Sequence, residues 1–226
     1  MARELGGKHV VVVGATGALG ARIAAHLAVA GARVSAIVRD HTRLDGASVF
    51  QYALADVTDS GALRLAFASV ATAAPIDGVV NATGVVAFGG IGELDDTTLA
   101  KLFAVNATAP IVMLRESATL IADGGFFVNI SGVVATQPVA GMAAYSASKA
   151  AAWAAMSAVA RELRRRQIDL IDARPPHTET GLATRAIAGV APKMPVGLTP
   201  DAVAARIVAA IVAGERDLPT EAFATQ

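Results

Sequence analysis

Apolar residues in this chain come in short runs and rarely alternate with polar ones. His9–Val13 reads H-V-V-V-V, Arg33–Val38 reads R-V-S-A-I-V and Asp169–Ala173 reads D-L-I-D-A. Runs of five or six residues, rich in β-branched types and apolar at successive positions, predict strands buried on both faces. Residues 77–81 and 126–131 extend the set, and residues 49–54 form a weaker member. Between the runs lie Ala-rich segments that predict helices at 19–30, 60–73, 95–121, 142–166 and 200–213. Strands separated by helices predict an α/β fold with one doubly wound parallel sheet of about seven strands and helices on both faces. No repeat or linker divides residues 1–226, which predicts a single domain. The least regular stretch, 175–198, carries four of the nine prolines and follows a strand. Loops in that position serve as substrate lids, so a lid is expected at about 176–198.

Composition narrows the function classes. The 226 residues are 54% hydrophobic and 17% charged, with a formal net charge of zero. That balance suits one good core and gives no electrostatic case for nucleic acid or an anionic membrane. The basic run from Arg161 to Arg166 sits at the end of a predicted helix, where cations complement the dipole. There is no cysteine, so disulfides, thiolate metal sites and cysteine nucleophiles are excluded. His9, His26 and His41 are scattered, and no metal site is expected. Every apolar stretch is broken by a charge or a glycine within about 18 residues, so no membrane span is expected. With no signal pattern at its start, the expected location is cytoplasmic.

Chemistry enters at two places. The first strand runs into Gly14-Ala15-Thr16-Gly17-Ala18-Leu19-Gly20, and a helix follows. Glycines there permit a tight turn, close backbone approach to a pyrophosphate and close packing of helix on strand, and free N–H groups at the helix start bind the anion. The second strand ends at Val38-Arg39. NAD sites usually place an acid there for the ribose 2′-hydroxyl, which Val38 cannot supply. Arg39 is either an exposed strand-end residue or a fork for a 2′-phosphate, and it tilts the expected cofactor towards NADP(H) rather than NAD(H).

The second place is Tyr145-Ser-Ala-Ser-Lys149. Residues four apart on a helix share a face, so the phenol and the ammonium can meet one ligand. A close cation favours the phenolate. A drop of ~2–3 units from about 10 would make Tyr145 a proton donor and acceptor near neutral pH.

With these features in place, the chain resembles the short-chain dehydrogenase/reductase family over nearly its whole length. Gly14, Gly17 and Gly20 are similar to its glycine-rich turn, Tyr145 and Lys149 to its Y-x-x-x-K pair. Asp56-Val57 resembles the segment that contacts adenine, Asn81-Ala82-Thr-Gly84 the N-N-A-G motif, and Asn106 the helix asparagine that holds a relay water. Pro175-Pro-His-Thr178-Glu-Thr180 resembles the P-G-x-x-x-T segment that cradles the nicotinamide amide. The resemblance implies an oxidoreductase that interconverts a carbonyl and a secondary alcohol on a small, largely apolar molecule. Tyr145 would be the acid/base, Lys149 would bind ribose and tune the phenol, and Asn106 would serve the proton relay. It also implies a homo-oligomer, dimer or tetramer, in which small residues such as Ala147, Ala150, Ala151 and Ala154 let a second copy of the helix approach.

The chain departs from the family at several points. The turn is spaced G-x-x-G-x-x-G, as in the extended subgroup, while the length resembles the short one. Ala82 and Pro176 replace an asparagine and a glycine, and the final strand looks abbreviated. Thirteen residues before the tyrosine, where the family places the serine that polarises the substrate, stands Gly132. Ser131 is one position early, and a one-residue slip on a strand turns a side chain to the other face. Ser131 is therefore either the catalytic serine, brought round by an extra loop residue or a bulge, or a structural hydroxyl. Without such a serine, polarisation would fall to Tyr145, water or Thr136. The competing function is a nucleotide-binding sensor or partner subunit with little turnover.

Overall fold

The computed structural model describes residues 2–44, 46 and 48–224. The elements are β1 (His9–Val13), α1 (Ala18–Val29), β2 (Arg33–Val38), β3 (Gln51–Leu54), α2 (Ser60–Ala71), β4 (Ile76–Asn81) and α3 (Asp96–Phe103). They continue with α4 (Ala109–Ala118), β5 (Ile121–Ile130), α5 (Ala143–Glu162), β6 (Asp169–Ala173), α6 (Pro200–Ala213) and β7 (Asp217–Leu218). Seven strands form one sheet in the order β3-β2-β1-β4-β5-β6-β7, and every pairing is parallel. The expected α/β architecture is thus the observed one.

Strand β1 explains the missing alternation. Val10 and Val12 pack into the core beneath α1 and α6, while Val11 and Val13 pack into the core beneath α2, α4 and α5. All four are fully buried. Full burial of such a side chain is worth about 1.5–3 kcal/mol, so an unbroken valine run is favoured only where both faces are covered.

Boundaries differ from the sequence expectations in instructive places. The helix expected at 95–121 is interrupted by a π turn, Ala104–Thr108, between α3 and α4. Pro110 sits in the first turn of α4 and has no N–H to give the Asn106 carbonyl, so the α register cannot run through. The strand expected at 126–131 begins at Ile121, with a register shift against β4 between Ile76 and Gly78, and ends at Ile130. The last turn of the helix expected at 142–166 is a 3₁₀ turn, Leu163–Arg166, closed by Gln167 at φ 54°. Arg166 there donates to Asp123 at 2.7 Å and so ties the basic run to the start of β5. The final strand, β7, is two residues long and extends the sheet beside β6. The helical stretch 96–118 has the length and composition of a membrane span, but Lys101 and Arg115 interrupt it and half of its apolar window is buried against the rest of the fold.

Residues 176–198 fold back over the ends of β4 and β5. The base of this segment is stitched by Leu198 N–H to His177 O (2.9 Å) and Glu179 N–H to Leu198 O (2.9 Å). Its far side is pinned by Ile187 N–H to Val86 O (2.8 Å) and Phe88 N–H to Ala188 O (3.0 Å).

Candidate active site at the carboxyl edge of the sheet

The turn after β1 is built by contact. Gly14 adopts φ +88°, and a Cβ there would lie 2.9 Å from Thr83 Cγ2 and 3.2 Å from the Ala82 carbonyl. A Cβ on Gly20 would lie 2.3 Å from Gly14 O. Gly17 donates its N–H to Gly14 O at 3.0 Å and begins α1. Three other helices start under a side-chain cap: Asp59 accepts from Ala62 N–H, Asp95 from Thr98 N–H and Thr199 from Ala202 N–H. Helix α1 has only Gly17 there, and the N–H groups of Ala18, Leu19 and Gly20 find no partner among the described residues. Unpaired donors at the positive end of a twelve-residue helix are a ready anion site. Thr16 lies inside this turn.

Beside the turn is a cavity of about 400 Å³. Its wall joins Gly17, Ala18 and Leu19 to Ala82 and Gly84, to the exit of β5, to Tyr145 and Lys149, and to Pro175, Thr178 and Thr180. Apolar side chains complete the wall, with Val134, Met142, Leu182 and Met194 among them. Five sequence-distant segments are therefore brought together as expected from their motifs. Arg39, Asp56 and Val57 lie outside this wall, at the ends of β2 and β3. Arg39 and Asp56 are exposed there. Hydrogen bonds from Thr58 N–H and its hydroxyl hold the Asp56 carboxyl below its ordinary value, and the nearby Arg39 charge adds to this.

Tyr145 and Lys149 sit in the first two turns of α5, 9% and 8% exposed. Lys149 Nζ donates to Ile130 O at 2.9 Å. A Cβ on Gly84 would lie 3.3 Å from that Nζ, so the glycine makes room for the ammonium. Burial brings the Lys149 amine down to about 8, partly opposed by the Asp172 charge. The expectation for Tyr145 is reversed in direction: burial pushes its phenol up to about 12. One of the three ammonium donors is held by the Ile130 carbonyl, and the phenol has lost water without gaining a hydrogen-bond partner among the described residues.

Other expected site residues carry structural bonds. Asn106 accepts from Val85 N–H (3.0 Å) and donates to Val85 O (2.9 Å) and Ser148 Oγ (3.1 Å). Its side chain thus clamps the chain after β4 to α5, and both of its amide hydrogens are engaged. What Pro110 leaves without an α-helical donor is the backbone carbonyl of Asn106. Asn81 donates to Asn129 and accepts from Thr83 N–H and its hydroxyl. Thr178 donates to Pro176 O, and Thr180 Oγ1 accepts from Leu182 N–H. Pro175 O receives Val133 N–H at 3.0 Å. His177 lines the cavity and pairs with Glu179 at 3.2 Å.

Ser131 is fully buried, and its hydroxyl donates to Asp172 Oδ1 at 2.5 Å. It makes no hydrogen bond to Tyr145, so the loop does not bring it round as the catalytic alternative required. Gly132 follows at φ +77°, ψ 164°, with no atom within 3.9 Å of a notional Cβ. Space exists for a side chain, but the torsion belongs to glycine. Sequence reasoning missed Asp172 and Arg174, both buried at the end of β6. The available signal was two charges, two residues apart and hence on one face, in an otherwise apolar run.

Comparisons with known proteins agree with this fold. The family model for short chain dehydrogenase matches residues 8–190. An uncharacterised oxidoreductase of Methylorubrum extorquens is 32% identical over 199 residues, covering 82% of this chain and 79% of that protein. The L-xylulose reductase of Caenorhabditis elegans is 30% identical over 165 residues, 69% of this chain and 66% of that protein. Among solved structures, a short chain dehydrogenase of Burkholderia cenocepacia in complex with NADP superposes with a TM-score of 0.84 at 28% identity, covering 96% of this chain and 98% of that one.

Proposed function

The chain belongs to the short-chain dehydrogenase family of oxidoreductases, and from that premise we propose an NADP(H)-preferring enzyme that interconverts a carbonyl and a secondary alcohol on a small, largely apolar molecule. The carrying observation is the meeting of two features in one cavity: the uncapped start of α1, and Tyr145 with Lys149 facing it from α5. The turn suits a dinucleotide, because Gly14 and Gly20 pack so closely on Thr83, Ala82 and each other that no side chain stands over it, and the N–H groups of Ala18 and Leu19 are free to meet its phosphates. Arg39 faces the 2′-phosphate in this reading, Asp56 and Val57 the adenine. Asn81, Ala82 and Gly84 form the floor, and Pro175, Thr178 and Thr180 hold the amide. Support for the phosphate comes from the absence of an acid at Val38 and from the Burkholderia cenocepacia neighbour solved with NADP.

A bound nicotinamide supplies or accepts hydride. Tyr145 gives its proton to the carbonyl oxygen in reduction, or receives one in oxidation. Held at about 12, the phenol keeps its proton at neutral pH, which is the form that reduction needs. Lys149 binds the ribose hydroxyls and brings positive charge to the oxygen as it gains electron density. The Asn106 carbonyl, rather than its side chain, is the group left to hold a relay water. Residues 176–198 act as the lid, and their apolar side chains exclude water. A second copy of the chain docks on the small-residue face of α5.

The test is oxidation of NADPH against a panel of apolar aldehydes and ketones. Tyr145→Phe should lower turnover by about 10²–10⁴-fold and leave cofactor affinity nearly unchanged. Full turnover in that variant overturns the chemistry. The second reading, a sensor with little turnover, is favoured by one observation: Ser131 is committed to Asp172, and Gly132 offers no hydroxyl. Tight NADPH binding with no turnover on any carbonyl would select it.

A further inference from the structure

Behind the cavity lies a buried polar chain that the proposed reaction does not use. Asp172, 6% exposed in the core of β6, accepts from Ser131 Oγ (2.5 Å), Asn129 Nδ2 (2.9 Å) and Arg174 Nη1 (3.4 Å). Arg174 also pairs with Asp217 on β7 at 2.7 Å. Asn129 in turn accepts from Asn81 at 3.0 Å. Every partner of Asp172 is a donor, an arrangement that only an ionised carboxylate satisfies in full. A buried charge of this kind is costly unless paired, and an apolar residue would serve packing at least as well.

Lys149 connects the chain to the site. Its ammonium is held by the carbonyl of Ile130, the residue next to Ser131, whose hydroxyl is held by Asp172. Ser131 and Gly132 both donate their N–H groups to Ala173 O, at 3.0 and 3.2 Å, so β6 fixes the whole exit of β5. We propose that Asp172 is the positioning residue of the Tyr145–Lys149 pair: through Ser131 it fixes the strand exit that seats the ammonium, and it supplies the negative charge behind that ammonium. This gives Ser131 a role that its displaced register otherwise leaves unexplained.

The charged and titratable groups around this chain can be counted. Lys149 shares the cavity wall with Tyr145 of its own helix and feels the Asp172 charge from β6, with the neutral Asn106 near it from the π turn. Asp172 meets Arg174 from β6 and Lys149 from α5, and Asp217 on β7 acts on it through Arg174. Burial lowers the Lys149 value to about 8, and the Asp172 charge opposes the fall. Removing that charge must therefore lower the value further, and Lys149 then loses its proton at a lower pH.

The proposal rests on Lys149 belonging to the active site, and its first test does not need turnover. The chain has four lysines, Lys8, Lys101, Lys149 and Lys193, so the titration of Lys149 can be followed by NMR with isotope-labelled lysine and assigned by substitution. In the full chain Lys149 should titrate near 8. In Asp172→Asn the midpoint should fall by about one pH unit, a tenfold change in the protonation equilibrium. The asparagine keeps the shape, and the Ser131 hydroxyl can turn to accept from it. Should that variant not fold, Asp172→Ser carries the same expectation. Where turnover is measured, its alkaline limb should move down in step with Lys149, while Ser131→Ala should leave the Lys149 midpoint in place and lower turnover a few-fold. An unmoved Lys149 midpoint in a folded Asp172 variant overturns the proposal, as does an unmoved limb with a shifted midpoint. Absent turnover with a shifted midpoint would instead remove the oxidoreductase reading and leave this one standing.

Discussion

Two of the strand exits at the cavity carry a glycine with positive φ. After β1 it is Gly14 at +88°, after β5 it is Gly132 at +77°. At Gly14 the neighbours forbid a side chain, with Thr83 Cγ2 2.9 Å from a notional Cβ. At Gly132 the nearest atom, Pro175 O, is 3.9 Å away, and only the torsion forbids it. In the proposed function the first exit offers its backbone N–H groups, so side chains must be absent there. At the second, one hydroxyl has turned inward to Asp172 while the next position offers none. One glycine is thus required by what surrounds it, the other by the path of its own chain.

Paired substitutions would break or sharpen this contrast. Gly14→Ala combines a torsional cost of about 1–3 kcal/mol with an overpacking cost of similar size, since the Ala82 backbone cannot move freely. Urea unfolding should show the sum, and NADPH titration should show binding largely lost. Gly132→Ala should show the torsional part alone, about 1–3 kcal/mol, with cofactor affinity retained. Gly132→Ser, which restores a hydroxyl at the family's position, carries the same cost and should not raise turnover. A stable, faster Gly132→Ser protein would mean that the exit of β5 is as free as its open space suggests. The smallest effect is expected at Arg39, which is exposed beyond the first exit. Arg39→Ala should leave stability within about 0.5 kcal/mol and erase a several-fold preference for NADPH over NADH. Equal affinity for the two cofactors in the unaltered chain would remove the argument built on Val38 and Arg39.

Much of the site was legible because the relevant signals are local. Glycines between a strand and a helix, and a tyrosine four residues before a lysine on one helix, specify geometry within a turn or two of chain. Both were found where the pattern placed them, on the same cavity. The Tyr145 phenol was misread because its proton affinity depends on what surrounds it. Burial raises it to about 12, and the lysine that should have lowered it is held by a carbonyl from another strand. Ser131 could be described in sequence only as one position out of register. Its partner, Asp172, is 41 residues away and becomes a neighbour only when β6 pairs with β5.

Six of the seven strands, the sheet class and the glycine turn after β1 followed from the sequence alone, since each depends on torsional preference and on which faces of a short segment are apolar. The π turn at Asn106 was half-written there too, in Pro110, whose missing N–H breaks the α register. Tertiary structure alone decided which polar groups are spent and which remain free. Asn106, Thr178 and Lys149 donate to backbone carbonyls and Ser131 to the Asp172 carboxylate, whereas the first N–H groups of α1 have no partner among the described residues. Hydrogen-bond satisfaction is settled by spatial neighbours that sequence distance does not reveal, because a buried polar atom takes whatever partner the packed strands bring within about 3 Å.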